Sequence, residues 1–99
     1  MDSEIIWTEV ASADLHEIFA FISEQNPDAA RRVVADILKQ VRLLATVPYI
    51  GATFPRGVHG RYREVVVGKY RVFYQINDSE RRVMILTIWH SSRREPKLP

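Results

Sequence analysis

The sequence predicts one α+β domain: a short N-terminal strand, an antiparallel two-helix hairpin, then three antiparallel strands forming one sheet packed on the helices. Three observations carry this prediction. Apolar residues recur at helical spacing from Leu15 to Ala45. After Gly60 they alternate instead, as they do in half-buried strands. Between the two regimes lies a Pro- and Gly-rich stretch, residues 48–60. The 99 residues leave room for one domain, 1–99, and one modest core.

Residues 4–8 form the first strand candidate, with Ile5, Ile6 and Trp7 suited to a sheet. Thr8 or Ser12 can cap the helix that follows. In that helix Leu15, Ile18, Phe19 and Ile22 fall at i, i+3, i+4 and i+7, a one-faced apolar stripe, with Asp14, His16, Glu17 and Glu24 outside it. Asn26-Pro27-Asp28 then breaks the chain and restarts it. Asn caps, Pro presets the first helical residue, and Asp suits the positive end of the helix dipole. The second helix carries the stripe Ala30, Val33, Ile37, Leu38, Val41, Leu44 and Ala45, and is expected to run to about Val47, where Pro48 stops it.

Residues 61–67, 70–76 and 82–90 read as strands, joined by Gly68-Lys69 and by Asn77-Asp78-Ser79-Glu80. In the middle strand Tyr70, Val72, Tyr74 and Ile76 share a face, opposite Arg71, Phe73 and Gln75. In the last strand Val83, Ile85, Thr87 and Trp89 oppose Met84, Leu86, Ile88 and His90, so both faces read as apolar and covered. The helices can cover only one of them, and a partner is expected on the other. A two-residue Gly68-Lys69 turn would set Arg71 beside Glu64 and Val66, and a three-residue loop would set it beside Arg63 and Val65. The tail, residues 96–99, is expected to be mobile.

With no cysteine, disulfides, thiolate metal sites and thiol nucleophiles are excluded. The acidic start Met1-Asp2-Ser3-Glu4 is unlike a signal peptide, and no apolar run approaches the ~20 residues that span a bilayer, so a cytoplasmic protein without membrane contact is expected. His16, His59 and His90 are scattered and lack carboxylates at ligand spacing, so neither a metal nor any other cofactor is expected. The formal charge is only +2. Its distribution says more: from Arg56 onward Arg56, Arg61, Arg63, Lys69, Arg71, Arg81, Arg82, Arg93, Arg94 and Lys97 dominate. Such an arginine-rich half suits an acidic partner, nucleic acid or protein.

A succession of short matches runs along nearly the whole chain. It comprises Trp7-Thr8 with Ala11 and Asp14-Leu15, then Asn26-Pro27 with Ala29-Ala30, and Leu44 with Pro48 and Gly51. Tyr62-Arg63-Glu64, Tyr70-Arg71-Val72-Phe73-Tyr74 and His90-Ser91-Ser92-Arg93 complete it. This succession resembles the ParE/RelE superfamily of toxins, also called plasmid stabilisation proteins. The resemblance implies a type II toxin neutralised by a cognate antitoxin whose acidic or amphipathic C-terminal segment wraps around it, in a toxin–antitoxin hetero-oligomer. RelE-like members cleave messenger RNA on the ribosome, whereas ParE-like members act on DNA gyrase by binding.

By the same resemblance Arg71 would bind the scissile phosphate in a nuclease, His90 would be its general acid, and Arg63 would match, within one residue, a lysine of the RelE active strand. Each has a plainer reading. Arg71 can pair with Glu64 or with the antitoxin, and His90 can bond backbone and order the tail. The nuclease pattern also departs in three places. Val65 replaces a basic side chain, no tyrosine follows Arg93, and residues 52–60 hold no carboxylate. Glu64 adds an anion that repels phosphate. The ParE-like reading is therefore preferred, with Arg61, Arg63, Arg71, His90, Arg93 and Arg94 as antitoxin- or target-binding residues. The alternatives are a ribosome-dependent endoribonuclease using Arg63, Arg71 and His90, or an inactive relative that keeps the fold.

Overall fold

A computed structural model describes residues 2–54 and 62–92. Its elements in chain order are β1 (Glu4–Trp7), α1 (Glu9–Ser23), α2 (Pro27–Leu43), a 3-10 turn (Pro48–Ile50), β2 (Ala52–Phe54), β3 (Tyr62–Val67), β4 (Tyr70–Asn77) and β5 (Arg82–His90). The expected α+β class is thus observed. Arg61, Arg93, Arg94 and the tail 96–99 lie outside the described residues.

Thr8 both ends β1 and starts α1. Its Oγ1 accepts from Ala11 N at 3.2 Å and donates to Ile85 O at 2.7 Å, so one hydroxyl caps the helix and ties it to β5. Asn26 caps α2 through Ala29 N, with Pro27 in the first turn as the sequence requires. Helix α2 buries Ala30, Ile37 and Val41 and leaves its regular course at Leu43, a turn before the expected Val47. The residue before a proline is driven out of the helical region, and Pro48 instead opens the 3-10 turn.

Among the described residues five strands form one sheet in the order β1-β5-β4-β3-β2. Strand β1 runs parallel to β5, and the other neighbours are antiparallel. β2 was not foreseen: three residues are too few for alternation to register, and the pairing Ala52↔Glu64 to Phe54↔Tyr62 defines it instead. Both helices cover one face of the sheet, where Ile37, Val41 and Leu44 meet Val65, Val72, Tyr74, Val83, Ile85 and Ile88. Among the described residues no helix is long and apolar enough to cross a membrane.

The predicted alternation of the last strand holds only through Ile85. Tyr74 pairs with Ile85 and Phe73 with Thr87, so Leu86 has no partner across from β4. This bulge shifts the alternation by one, and Ile88, not Trp89, joins Val83 and Ile85 in the core. The strand read as apolar on both faces partly because it changes face midway.

Candidate functional site

Gly68 and Lys69 form a two-residue turn, with Val67 opposite Tyr70 and Gly68 at φ 59°. A glycine first in the turn supplies that backbone geometry at low steric cost. The tight turn fixes the register left open by the sequence. Arg71 lies opposite Val66, on the face turned away from the helices, and Glu64 lies opposite Phe73 on the same face. Arg71 Nη2 donates to Glu64 Oε2 at 2.6 Å. The two side chains are only 17% and 10% exposed. The guanidinium also lies 5.0 Å from the Phe73 ring centre and 5.8 Å from that of Phe54, and the two rings meet edge to face at 4.8 Å. Charge-assisted hydrogen bonding and the ring faces together hold this cation in one place. Beside it Val66 is 64% exposed, an apolar side chain turned away from the helices.

Arg63 does different work. Its Nη1 donates to Gly51 O at 2.6 Å and Tyr49 O at 3.3 Å, and its guanidinium covers the Tyr49 ring at 4.8 Å. Nearby, the fully buried Tyr74 donates to Pro48 O at 2.7 Å and accepts from Gly51 N at 3.0 Å. Arg63 and Tyr74 thus clasp residues 48–51 onto the sheet. Gly51 must be glycine here, because a Cβ would sit 2.5 Å from Tyr74 Oη and 2.6 Å from the Glu64 carbonyl. Burial pushes the Tyr74 phenol above its ordinary pKa, against the Gly51 hydrogen bond and the Arg63 charge, which lower it. The Tyr49 phenol is raised as well, chiefly because its hydroxyl donates to the Asp78 carboxylate.

His90 belongs to the opposite face from Arg71. It pairs with Tyr70, whose ring it meets edge to face at 5.3 Å, on the side facing α1. Its Nδ1 accepts from Ser92 N at 3.2 Å and contacts Ser92 Oγ at 2.6 Å. This is the backbone-ordering arrangement named above as its plainer reading. Ser91 N and Oγ both donate to Lys69 O, at 2.7 and 2.8 Å, fixing the end of β5 to the turn.

Tyr70, Ile88 and His90 form the floor of a cleft of ≈ 440 Å³ whose wall is α1, through Asp14, Glu17, Ile18 and Phe21. The four wall residues fall at i, i+3, i+4 and i+7, one helical face. Asp14 also anchors the helix. Past Ile85, where β1 stops, β5 is an edge, and Asp14 Oδ2 accepts from Ile88 N at 3.0 Å and Thr87 Oγ1 at 2.5 Å.

The candidate residues are thus dispersed. Arg71 is on the sheet face turned away from the helices, His90 is on the helix-facing side, and Arg63 is bound into the 48–51 clasp. The cleft was missed because Asp14 and Glu17 read only as positions outside an apolar stripe; their spacing to Ile18 and Phe21 was the available signal. Among the described residues no three His, Asp or Glu side chains come together as a metal-holding group.

Comparison with known proteins supplies a name for this arrangement. The family model described as ParE toxin of type II toxin–antitoxin system, parDE, matches residues 5–95. A candidate toxin of Sinorhizobium fredii, Y4kP, is 38% identical over 96 residues, covering 95% of this chain and 94% of its own. Among solved structures, the chromosomal ParDE system of P. aeruginosa superposes with a TM-score of 0.74 at 26% identity, covering 89% of this chain and 95% of that one. The isolated RelE toxin of E. coli shares the fold, with a TM-score of 0.64 at 19% identity over 94% of this chain and 88% of that one.

Proposed function

Because the chain belongs to the ParE toxin family of type II toxin–antitoxin systems, we propose that it is a toxin that inhibits DNA gyrase by binding it and is held inactive by a cognate protein antitoxin. The observation that carries this reading is the separation of Arg71 from His90. A phosphate-cleaving site needs a cation on the phosphate and an acid within hydrogen-bond reach of the leaving oxygen, on one surface. Here the two candidates lie on opposite faces of one sheet, and Arg71 is tied to Glu64. Arg63, the third nuclease candidate, spends its guanidinium on backbone carbonyls.

In this reading Arg71 and Val66 belong to the target-facing surface, and Arg61, Arg93 and Arg94 stay binding candidates on the sequence alone. His90 orders the end of β5. The antitoxin partner is supported by the P. aeruginosa ParDE system, a relative above one quarter identity over most of both chains. The toxin and antitoxin form a hetero-oligomer from which the free toxin is released.

The test is induction of the chain in cells lacking the antitoxin, with DNA breaks and messenger RNA followed side by side. DNA damage with intact messages is expected. Rapid message cleavage that disappears in Arg71→Ala or His90→Ala would replace this reading with the ribosome-dependent nuclease. Neither effect, from a folded chain, would mark an inactive relative.

A further inference from the structure

The cleft between α1 and the β4–β5 end has a charge opposite to that of the arginine-bearing sheet face. We propose that it takes a basic residue of the antitoxin, a lysine or arginine flanked by apolar side chains. This rests on the reading of the chain as an antitoxin-bound toxin and specifies the chemistry of one contact.

Three features set the occupant. The first is charge. Among the described residues the carboxylates in the cleft are Asp14 and Glu17, and no lysine or arginine lines it. Both hydrogen bonds to Asp14 converge on Oδ2, from a backbone N–H and a hydroxyl, so its negative charge is oriented without being neutralised by a cation. An acidic segment would be repelled here. The second is the aromatic lining: Tyr70 and Phe21 present ring surface beside the carboxylates, which favours a desolvated cation. The third is uncovered apolar surface. Phe21 is 74% exposed, the most exposed large apolar side chain on the molecule's described residues, and it adjoins Ile18 on the cleft wall. A helix with apolar residues on more than one face is one that expects cover. The antitoxin segment is therefore of mixed charge, with a basic residue at this cleft even if its remainder is acidic to suit Arg71.

The test is calorimetric titration of the cognate antitoxin into wild type, Glu17→Gln, Glu17→Arg and Phe21→Ser, with Arg32→Gln on the exposed side of α2 as control. Glu17 and Phe21 are exposed, so these variants are expected to fold, which circular dichroism checks. Glu17→Arg is expected to weaken binding by roughly tenfold or more. Glu17→Gln and Phe21→Ser should weaken it less, and Arg32→Gln not at all. As the chain has no cysteine, Phe21→Cys adds a unique thiol. It should react with a maleimide in the free chain and be protected in the complex. Unchanged or tighter binding by Glu17→Arg would overturn the proposal, as would a Phe21→Cys thiol equally reactive in the complex. Protection without antitoxin would assign the cleft to a second copy of the chain and overturn it as well. Failure of wild type to bind any antitoxin would instead strike the toxin reading itself, and this contact with it.

Discussion

Replacing Tyr74 by Phe removes one oxygen atom and undoes the clasp that holds residues 48–51. The ring stays, so apolar packing is conserved, and the loss is confined to two hydrogen bonds: Tyr74 Oη to Pro48 O at 2.7 Å, and Gly51 N to Tyr74 Oη at 3.0 Å. The Gly51 N–H is buried, and stranding it costs roughly 1–3 kcal/mol. The Pro48 carbonyl is only partly buried and can turn to water, which limits its loss to about 0.5–1 kcal/mol. The sum, about 1.5–4 kcal/mol, corresponds to roughly 6–30 °C in Tm for a domain of this size. Urea unfolding followed by the fluorescence of Trp7 and Trp89 measures it. The same variant tests the pH dependence. Burial raises the folded-state pKa of Tyr74 above the ordinary phenol value of 10.0, so the unfolded chain ionises first. Stability from this group is complete below that pH and falls as pH rises through it and beyond. Tyr74→Phe should flatten that alkaline decline as well as lower the plateau. A loss under about 0.5 kcal/mol, within the range of an inconsequential substitution, with an unchanged alkaline slope, would refute the clasp.

Gly51→Ala should destabilise by at least about 2 kcal/mol in the same assay, because the added carbon meets the Glu64 backbone carbonyl at 2.6 Å, and backbone cannot swing aside. Asp14→Ala should cost about 2–3 kcal/mol, with Asp14→Asn recovering part of it, since an amide oxygen can still accept from Ile88 N. Arg81, at φ 54°, is the described non-glycine residue in the left-handed region, so Arg81→Gly should raise stability by roughly 0.5–1 kcal/mol. A double-mutant cycle on Arg71→Ala and Glu64→Ala should give a coupling of about 1–3 kcal/mol that changes little with added salt, as suits a pair so little exposed.

The sequence was legible wherever one local rule decided the outcome. Asn26-Pro27 marked a helix start, Gly68-Lys69 marked a turn whose length stayed open, and the period changes separated helices from sheet. It was not legible where pairing between distant residues decided. β2 exists because Ala52 and Phe54 find β3, which no three-residue pattern announces. The bulge at Leu86 moves Ile88 to the core face, and only the register with Phe73 and Tyr74 reveals it. Candidate residues behaved likewise. Arg71, His90 and Arg63 suit a nuclease when read one by one, and the folded chain distributes them over the two faces of the sheet, with the Arg63 guanidinium spent on residues 49–51. Asp14, placed by the sequence only outside the apolar stripe, proves to be the partner of the β5 edge.

The most direct measurement is titration of the purified chain into a gyrase supercoiling reaction, beside a parallel reaction of ribosomes programmed with messenger RNA. Inhibited supercoiling with intact message is the predicted result. A cleaved message with unaffected supercoiling, the cleavage lost in Arg71→Ala or His90→Ala, would contradict the account and require those two residues to act on one substrate from opposite faces of the sheet.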